Sequence, residues 1–227
     1  MYKRILLKIS GELLCDESGP VSVAALKKTA QDIGRLSKNG MEIGLVIGGG
    51  NIMRGRNAGA LDRVRMDNMG MLATAINALA MQEALNREGI ESVVMSAVDM
   101  NRFCDSYSAR AAREQLSCGK VVIFACGTGC PFFSTDTAAA LRAAEINADA
   151  LLLAKSVDAV YNKDPKLHPD AVRYEKISYE QVIAENLQAT DLTAITFCKE
   201  HGIKIKVFAL SGILDAVSGA KIGTLIE

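Results

Sequence analysis

The 227-residue sequence contains no tryptophan, two histidines and only 5% aromatic residues. Base stacking on single-stranded nucleic acid depends on aromatic side chains, so their scarcity argues against such a surface. The chain also has no net charge at pH 7, because 26 basic residues balance 26 acidic ones. Without a global positive field we expect neither a nucleic acid nor an anionic membrane as partner, and any anion site must be local.

The cysteines and histidines lack the spacing of a zinc site. No two cysteines are separated by two residues, and His168 lies far in sequence from His201. We therefore predict no protein-held metal, and reduced thiols that pack as small apolar side chains. The cysteines are at positions 15, 104, 118, 126, 130 and 198.

Long hydrophobic runs are also missing. The N-terminal stretch MYKRILLKIS places basic residues before apolar ones, but Lys8 interrupts the run before it reaches the length of a signal peptide. No later segment is long enough to span a membrane, so we expect a cytoplasmic protein. With 49% hydrophobic residues, the chain is long enough to bury a substantial core in one domain.

Short apolar runs alternate along the chain with segments of helical periodicity. The runs are continuous, which is typical of strands buried on both faces of a parallel sheet. The pattern predicts an α/β fold, with a mainly parallel central sheet and helices on both faces. The predicted strands are YKRILLKIS, MEIGLVI, ESVVMS, KVVIFAC, ADALLLA and KIKVFAL.

Two apolar stripes predict amphipathic helices. The second stripe is broader than one sheet face can cover, which indicates a subunit contact. The first consists of Val23, Leu26, Ala30, Ile33 and Leu36, and the second of Met69, Leu72, Ala73, Ile76, Leu79, Ala80 and Leu85.

Four strand ends are followed by segments that suit phosphate. Ligands of parallel α/β sheets bind beyond the carboxyl ends of the strands, where glycines expose N–H groups and basic side chains add charge. The sequence contains neither G-x-x-x-x-G-K-[ST] nor G-x-G-x-x-G, so neither a P-loop nor a dinucleotide fingerprint is predicted. The four segments are KISGE (8–12), GGGNIMRGR (48–56), GTGCPFFSTD (127–136) and KSVDAVYNKDP (155–165).

Six motifs follow one another along nearly the whole chain: KISGE, VIGGGN, RMDNMGMLAT, GTGCPFFSTD, VDAVYNKDP and TDLTA. In this order they resemble the motifs of the bacterial uridylate kinases (UMP kinases) of the amino acid kinase superfamily. The resemblance implies one domain over 1–227, with an acceptor-binding part at about 1–145 and an ATP-binding part at about 146–227. It also implies transfer of the terminal phosphoryl group of ATP to UMP with Mg²⁺, and a homohexamer.

The resemblance also implies roles for individual residues. Lys8 neutralises the phosphoryl group in transfer, and Arg54 bridges the donor and acceptor phosphates in its planar fork. Asp136 acts through Mg²⁺ or a lysine partner, and Asp191 orients Lys8. The implied ATP-binding residues are Lys8, Ile9, Ser10, Gly11, Gly50, Arg54, Tyr161 and Asp164. The implied UMP-binding residues are Gly49, Asp67, Thr128, Gly129, Cys130, Pro131, Phe132, Phe133, Ser134 and Thr135.

Two positions depart from the family pattern, and two other functions stay open. Cys130 stands where related enzymes carry asparagine, which puts one base or ribose contact in doubt, and Ala159 stands where glycine is usual. One alternative is a sister kinase of the same fold that acts on a carboxylate or carbamate, against which the PFFST segment argues. The other is a non-catalytic nucleotide-binding regulator, against which the four implied catalytic residues argue together.

Overall fold

The central sheet of the protein has nine strands in the computed structural model, which describes residues 2–53, 61–187 and 190–227. The strands of the chain are β1 (Arg4–Ile9), β2 (Glu42–Ile47), β3 (Ser92–Ser96), β4 (Asp105–Ser106), β5 (Val121–Ala125), β6 (Ala150–Lys155), β7 (Val160–Tyr161), β8 (Arg173–Tyr174), β9 (Lys176–Ile177), β10 (Lys204–Ala209) and β11 (Thr224–Ile226). The helices are α1 (Val23–Lys38), α2 (Arg63–Arg87), α3 (Ala109–Ser117), α4 (Thr135–Glu145), α5 (Tyr179–Ala184), α6 (Leu192–Glu200) and α7 (Ile213–Ser218), with 3-10 helices at Gly11–Leu14 and Leu210–Gly212.

The strand order is β4-β3-β5-β2-β1-β6-β10-β11-β9, and β7 and β8 form a separate antiparallel ribbon. Only the β10–β11 pair of the large sheet is antiparallel among the described residues. The predicted fold class is therefore confirmed, and each of the six predicted strands is present. The sheet continues across residue 145, because β1 pairs with β2 on one side and with β6 on the other. The division of the chain into two parts stays a prediction.

Each of the helices α1 to α6 begins at a serine or aspartate cap. The cap side chain accepts a hydrogen bond from a first-turn N–H, which satisfies a donor that has no partner within the helix. The six caps are Ser22, Asp62, Ser108, Ser134, Ser178 and Asp191.

Strand β1 is covered on both faces, which explains its continuous apolar run. Ile5, Leu7 and Ile9 belong to the core that packs against α1, α2 and α7. Leu6 belongs to the opposite core, against α3 to α6. Successive side chains of a strand point to opposite faces of the sheet. The side chain of Lys8 therefore points to the same sheet face as that of Leu6, and α4 covers this face.

The long helix α2 buries only part of its predicted apolar stripe. Met69, Leu72 and Ile76 are 38%, 55% and 50% exposed, whereas Ala73 and Leu85 are buried. A single sheet face cannot cover an apolar stripe of this breadth, so the outer part of it lies on the surface. In the first stripe, Val23 is likewise exposed at the start of α1, while its other members are buried.

The four polar segments noted in the sequence come together at one edge. They follow β5, β2, β1 and β6, which are consecutive and parallel in the sheet. Their carboxyl ends therefore meet side by side, as expected for a ligand site of this sheet type. Within the ranges that the structure describes, no helix combines the length and the apolar character needed to cross a membrane.

Candidate active site

A buried carboxylate shared by two lysines lies at this edge. Asp136 Oδ1 is 2.7 Å from Lys8 Nζ, and the side chains of these two residues are 13% and 7% exposed. The other oxygen, Oδ2, is 2.9 Å from Lys155 Nζ and accepts a hydrogen bond of 2.6 Å from Thr190. One carboxylate balances only one of the two ammonium charges, so the cluster keeps a net positive charge that suits a phosphate.

The two lysines also determine the charge state of the carboxyl. Burial raises the pKa of Asp136, but the ammonium groups of Lys8 and Lys155 outweigh burial and hold that pKa well below its usual range. The group is therefore ionised at neutral pH. Oδ1 has no hydrogen bond among the described residues beyond its ion-pair contact with Lys8.

Ser134 and Asp191 join the start of α4 to the start of α6. Ser134 Oγ accepts the N–H of Asp136 at 3.1 Å and donates to Asp191. Asp191 also accepts from the hydroxyl of Thr137 at 2.9 Å and caps α6. The resemblance implies that Asp191 orients Lys8, but the carboxylate in contact with Lys8 is that of Asp136. Asp191 is engaged by the two hydroxyls and the helix cap, while its neighbour Thr190 contacts Asp136 directly. The orientation of Lys8 by Asp191 stays a prediction.

The glycines of the first two segments pack against each other. A Cβ atom on Gly11 would lie 2.3 Å from the carbonyl oxygen of Gly48, and one on Gly49 would lie 2.9 Å from an alanine Cβ of α2. A Cβ atom on Gly50 would meet nothing closer than 3.6 Å. Packing therefore requires glycine at Gly11 and Gly49, while a side chain at Gly50 would meet only ordinary van der Waals contacts.

A cavity of about 140 Å³, the acceptor cavity, lies between the glycine turn, α2 and the loop that follows β5. Most of the residues implied for UMP line it, together with Gly50, and so do the α2 residues Met66, Gly70, Met71 and Thr74. Gly129, Pro131 and Phe132 belong to the same loop but do not line the cavity. The UMP-assigned residues that do are Gly49, Asp67, Thr128, Cys130, Phe133, Ser134 and Thr135.

The loop after β5 is held by α2. Asp67 Oδ2 accepts the backbone N–H of Phe132 at 2.8 Å and pairs with Arg63 at 2.9 Å. Phe132 has a φ of +72°, and Gly129, with a φ of +79°, would have a Cβ atom 3.0 Å from a backbone oxygen. Positive φ at a bulky residue is costly and is retained where the surroundings fix it. The rings of Phe132 and Phe133 remain 65% and 53% exposed.

A second cavity of about 300 Å³, the donor cavity, lies between the loop after β6 and the end of α5. Tyr161 and Asp164, which the resemblance assigns to ATP, both line it. The hydroxyl of Tyr161 donates to Asp158 at 2.9 Å, and this hydrogen bond raises the pKa of Tyr161. The lysine cluster is close in sequence to both cavities. Thr135, next to Asp136, lines the acceptor cavity, and Val157, two residues after Lys155, lines the donor cavity.

The other residues that the resemblance assigns to ATP differ in burial and in hydrogen bonding. Ile9 is fully buried, and its carbonyl oxygen accepts the N–H of Gly48 at 2.9 Å. Ser10 Oγ lies 3.4 Å from Lys8 Nζ, and its N–H bonds to Ala154 of the neighbouring strand. Arg54 lies outside the described residues. Lys155 was not among the predicted site residues, although it begins the fourth polar segment.

The donor set fits a divalent ion that arrives with the nucleotide. Among the described residues, no group of three or more Asp, Glu, His or Cys side chains is arranged to hold a metal. The central carboxylate, Asp136, is shared by two lysines. A divalent ion at this edge would therefore take most of its ligands from the nucleotide phosphates and water.

Residues 3–209 match the amino acid kinase family. A uridylate kinase of Saccharophagus degradans is 50% identical, over the whole of this chain and 94% of its own length. A UMP kinase structure from Bacillus anthracis has a TM-score of 0.96 at 36% identity, covering 100% of this chain and 96% of its own. A UMP kinase structure from Ureaplasma parvum has a TM-score of 0.94 at 36% identity, covering 100% and 99%.

The fold and the comparisons agree. The chain therefore belongs to the amino acid kinase family. Its full-length similarity to uridylate kinases narrows this assignment to the uridylate kinase branch of that family.

Proposed function

We propose that the chain transfers the γ-phosphoryl group of ATP to UMP, giving ADP and UDP for pyrimidine nucleotide synthesis. The observation that carries the proposal is the sharing of one buried carboxylate by two ammonium groups at the carboxyl edge of the sheet, close in the chain to residues that line two cavities. The names of the full-length relatives support the same reaction.

The chemistry requires positioning and charge neutralisation rather than proton abstraction. The attacking group is a phosphate oxygen, which is largely ionised at neutral pH because its second pKa is about 6. Phosphoryl transfer passes through a loose, metaphosphate-like transition state whose charge must be neutralised. Lys8 supplies positive charge to the transferred group, and Asp136 positions Lys8 through their ion pair. Arg54, by resemblance, bridges the two phosphates.

The two nucleotides are assigned to separate cavities. The acceptor cavity takes UMP, with Phe133 beside the base and Thr135, at the start of α4, beside the phosphate. The N-terminus of a helix favours a bound anion. The donor cavity takes the adenosine of ATP beside Tyr161 and Asp164. Their positions in the chain support the proposed division into an acceptor part at about 1–145 and an ATP-binding part at about 146–227.

We assign Mg²⁺ as the ion that accompanies ATP. When bound, it neutralises charge on the phosphate oxygens. Asp136 would be the nearest carboxylate of the lysine cluster to such an ion, and because both of its oxygens are paired with lysines, the phosphates and water would supply most of the ligands.

The proposed assembly is a cytoplasmic homohexamer. Its support on this chain is the row of exposed apolar side chains on α2, formed by Met69, Leu72 and Ile76. Exposed apolar rows of this kind mark subunit contacts. Light scattering after size-exclusion chromatography tests the assembly, and a mass other than that of six chains contradicts the hexamer.

An acceptor assay tests the proposed reaction. The purified protein with ATP and Mg²⁺ should phosphorylate UMP faster than CMP, AMP or GMP, with ADP release as the readout. Equal or faster turnover of another nucleoside monophosphate contradicts the uridylate assignment. Turnover of carboxylate or carbamate acceptors in place of UMP points to a sister kinase of the same fold.

A further inference from the structure

Two asparagines form a reciprocal amide pair directly behind the glycine turn. Asn51 Nδ2 donates to Asn77 Oδ1 at 3.0 Å, and Asn77 Nδ2 donates to Asn51 Oδ1 at 2.8 Å. The remaining N–H of Asn77 donates to the carbonyl of Gly48 at 2.7 Å, and that of Asn51 donates to the carbonyl of Pro20 at 2.6 Å. A primary amide has two N–H donors, so all four donors of the pair are used.

The location of the pair is unusual for polar side chains. Asn77 is only 1% exposed and lies on α2 among the buried residues Ala73, Ala78 and Met81. A buried amide is costly unless every group is paired, and an apolar residue at this position could pack without such a requirement. A fully satisfied polar pair in an apolar helix face therefore points to a specific geometric role.

That role concerns the peptide between Gly48 and Gly49. The structure contains no cis peptide bond among the described residues, so the C=O and N–H of this peptide point in opposite directions. With its carbonyl oxygen bonded to Asn77, the Gly49 N–H must point away from Asn77. Gly49 lines the acceptor cavity, and within the described ranges its N–H donates to no protein acceptor.

We infer that Asn77 and Asn51 are positioning residues for the acceptor phosphate: their paired amides hold the Gly48–Gly49 peptide so that the Gly49 N–H can donate to the phosphate of the nucleotide. Glycine places few limits on its own backbone, so this peptide needs an external restraint. A reversed peptide would present the Gly48 carbonyl to the phosphate, where two oxygens repel each other. The inference rests on the proposed function, because it assigns the phosphate to UMP.

The test compares nucleotide with nucleoside. Asn77→Leu removes the restraint on Gly48 and keeps an apolar side chain of similar size. Gln82→Leu is the matched control, because Gln82 lies on the same helix and donates an amide N–H to the carbonyl of Ser92, far from the turn. Binding of UMP is measured by calorimetry and binding of uridine by NMR titration, with a melting curve for each variant.

We expect Asn77→Leu to weaken UMP binding on the order of tenfold or more, since one hydrogen bond to a charged group is lost, and to leave uridine binding unchanged. KM for UMP should rise more than kcat falls, with KM for ATP unaltered. Gln82→Leu should change neither ligand. Equal losses for UMP and uridine, or an unchanged UMP affinity, overturn the inference, even if the melting temperature falls.

A second variant covers the case in which Asn77→Leu does not fold. Asn51→Ala breaks the pair but leaves Asn77 able to reach Gly48, so we expect a smaller loss that is again confined to UMP. An unchanged ratio of UMP to uridine affinity in this variant overturns the inference. A wild-type protein that binds neither ligand overturns the proposed function itself, which separates the two failures.

Discussion

Lys8 and Asp136 form an ion pair of 2.7 Å although one belongs to the first strand and the other to the fourth helix. The pair exists because Lys8 leaves β1 on the face that α4 covers, and because Ser134 caps α4 so that Asp136 stands in its first turn. An acidic group there is also favoured by the helix dipole. A strand end and a helix start thus produce one charged centre.

Replacement of Lys8 tests whether its charge acts in the transition state. Lys8→Met should lower kcat by on the order of 10² or more while UMP affinity changes little, because the charge that it neutralises develops during transfer. Lys206→Met is the control: Lys206 is a strand lysine on β10 whose ammonium donates to the carbonyl of Ala220 and, among the described residues, forms no ion pair. Steady-state kinetics with both variants show whether the charge of Lys8 acts in the transition state. A kcat near that of the wild type in Lys8→Met means that the lysine is structural.

Replacement of Lys155 tests the second ammonium group. Asp136 keeps its pair with Lys8 in Lys155→Met, so the fold should persist. The site loses one of its two cations, and we expect KM for ATP to rise on the order of tenfold, with partial recovery in Lys155→Arg. An unaltered KM for ATP shows that Lys155 serves only as a partner of Asp136.

The stability of the protein in acid should depend on Asp136. Its folded-state pKa lies below the ordinary value of 3.8, so its ionised form stabilises the fold above that value. This stabilisation is lost as the pH falls below about 4. Asp136→Asn should lower the melting temperature at pH 7, since removing one partner of a buried pair costs about 3–5 kcal/mol. It should also flatten the acid dependence of the melting temperature.

Circular dichroism melts between neutral and acid pH measure both effects. Asp170→Asn is the control, because Asp170 forms an exposed ion pair with Lys163. Exposed pairs contribute little, so this variant should follow the wild type. An Asp136→Asn curve with the same acid dependence as the wild type contradicts the depressed pKa.

The sheet could be predicted from the sequence because burial on both faces leaves a strong local signal. Runs such as ADALLLA are continuous in apolar residues, and each run became a strand. The two-residue strands β7 and β8 are too short to show any periodicity, so nothing in the sequence marked them. Met69 and Ile76 fitted an apolar stripe yet lie exposed, since periodicity gives the width of a stripe but not what covers it.

The site was harder to predict where contacts depend on pairing between distant segments. Lys155 resembles an ordinary solvated strand end in the sequence, and only the pairing of β6 with β1 brings it to Asp136. Asp191 belongs to the TDLTA motif and could be identified from the sequence. Its contacts with Ser134 and Thr137, however, follow from the packing of α6 beside α4. The signal that could have identified Lys155 is its position at the first residue of a polar segment after a buried strand.

The departure at Cys130 gives the last prediction. Cys130 is exposed and lines the acceptor cavity, and its N–H is bound to the Thr128 hydroxyl at 3.2 Å. A thiol is a weak hydrogen-bond partner, whereas an asparagine amide offers two donors and an acceptor. Cys130→Asn should therefore lower the Kd for UMP by a few-fold to roughly tenfold, since one neutral hydrogen bond contributes about 0.5–1.5 kcal/mol.

Binding of Mg·ATP should not change in Cys130→Asn, because Cys130 does not line the donor cavity. The melting temperature should also stay close to that of the wild type, because an exposed amide keeps its hydration and leaves no buried group unpaired. Cys118→Asn is a suitable control, since Cys118 is also an exposed thiol but lies at the end of α3, away from the acceptor cavity. Calorimetric titration of UMP and of Mg·ATP into the three proteins measures both affinities. Weaker or equal UMP binding in Cys130→Asn, together with a lower melting temperature, means that the thiol serves packing and that the missing asparagine contact is supplied elsewhere in the loop.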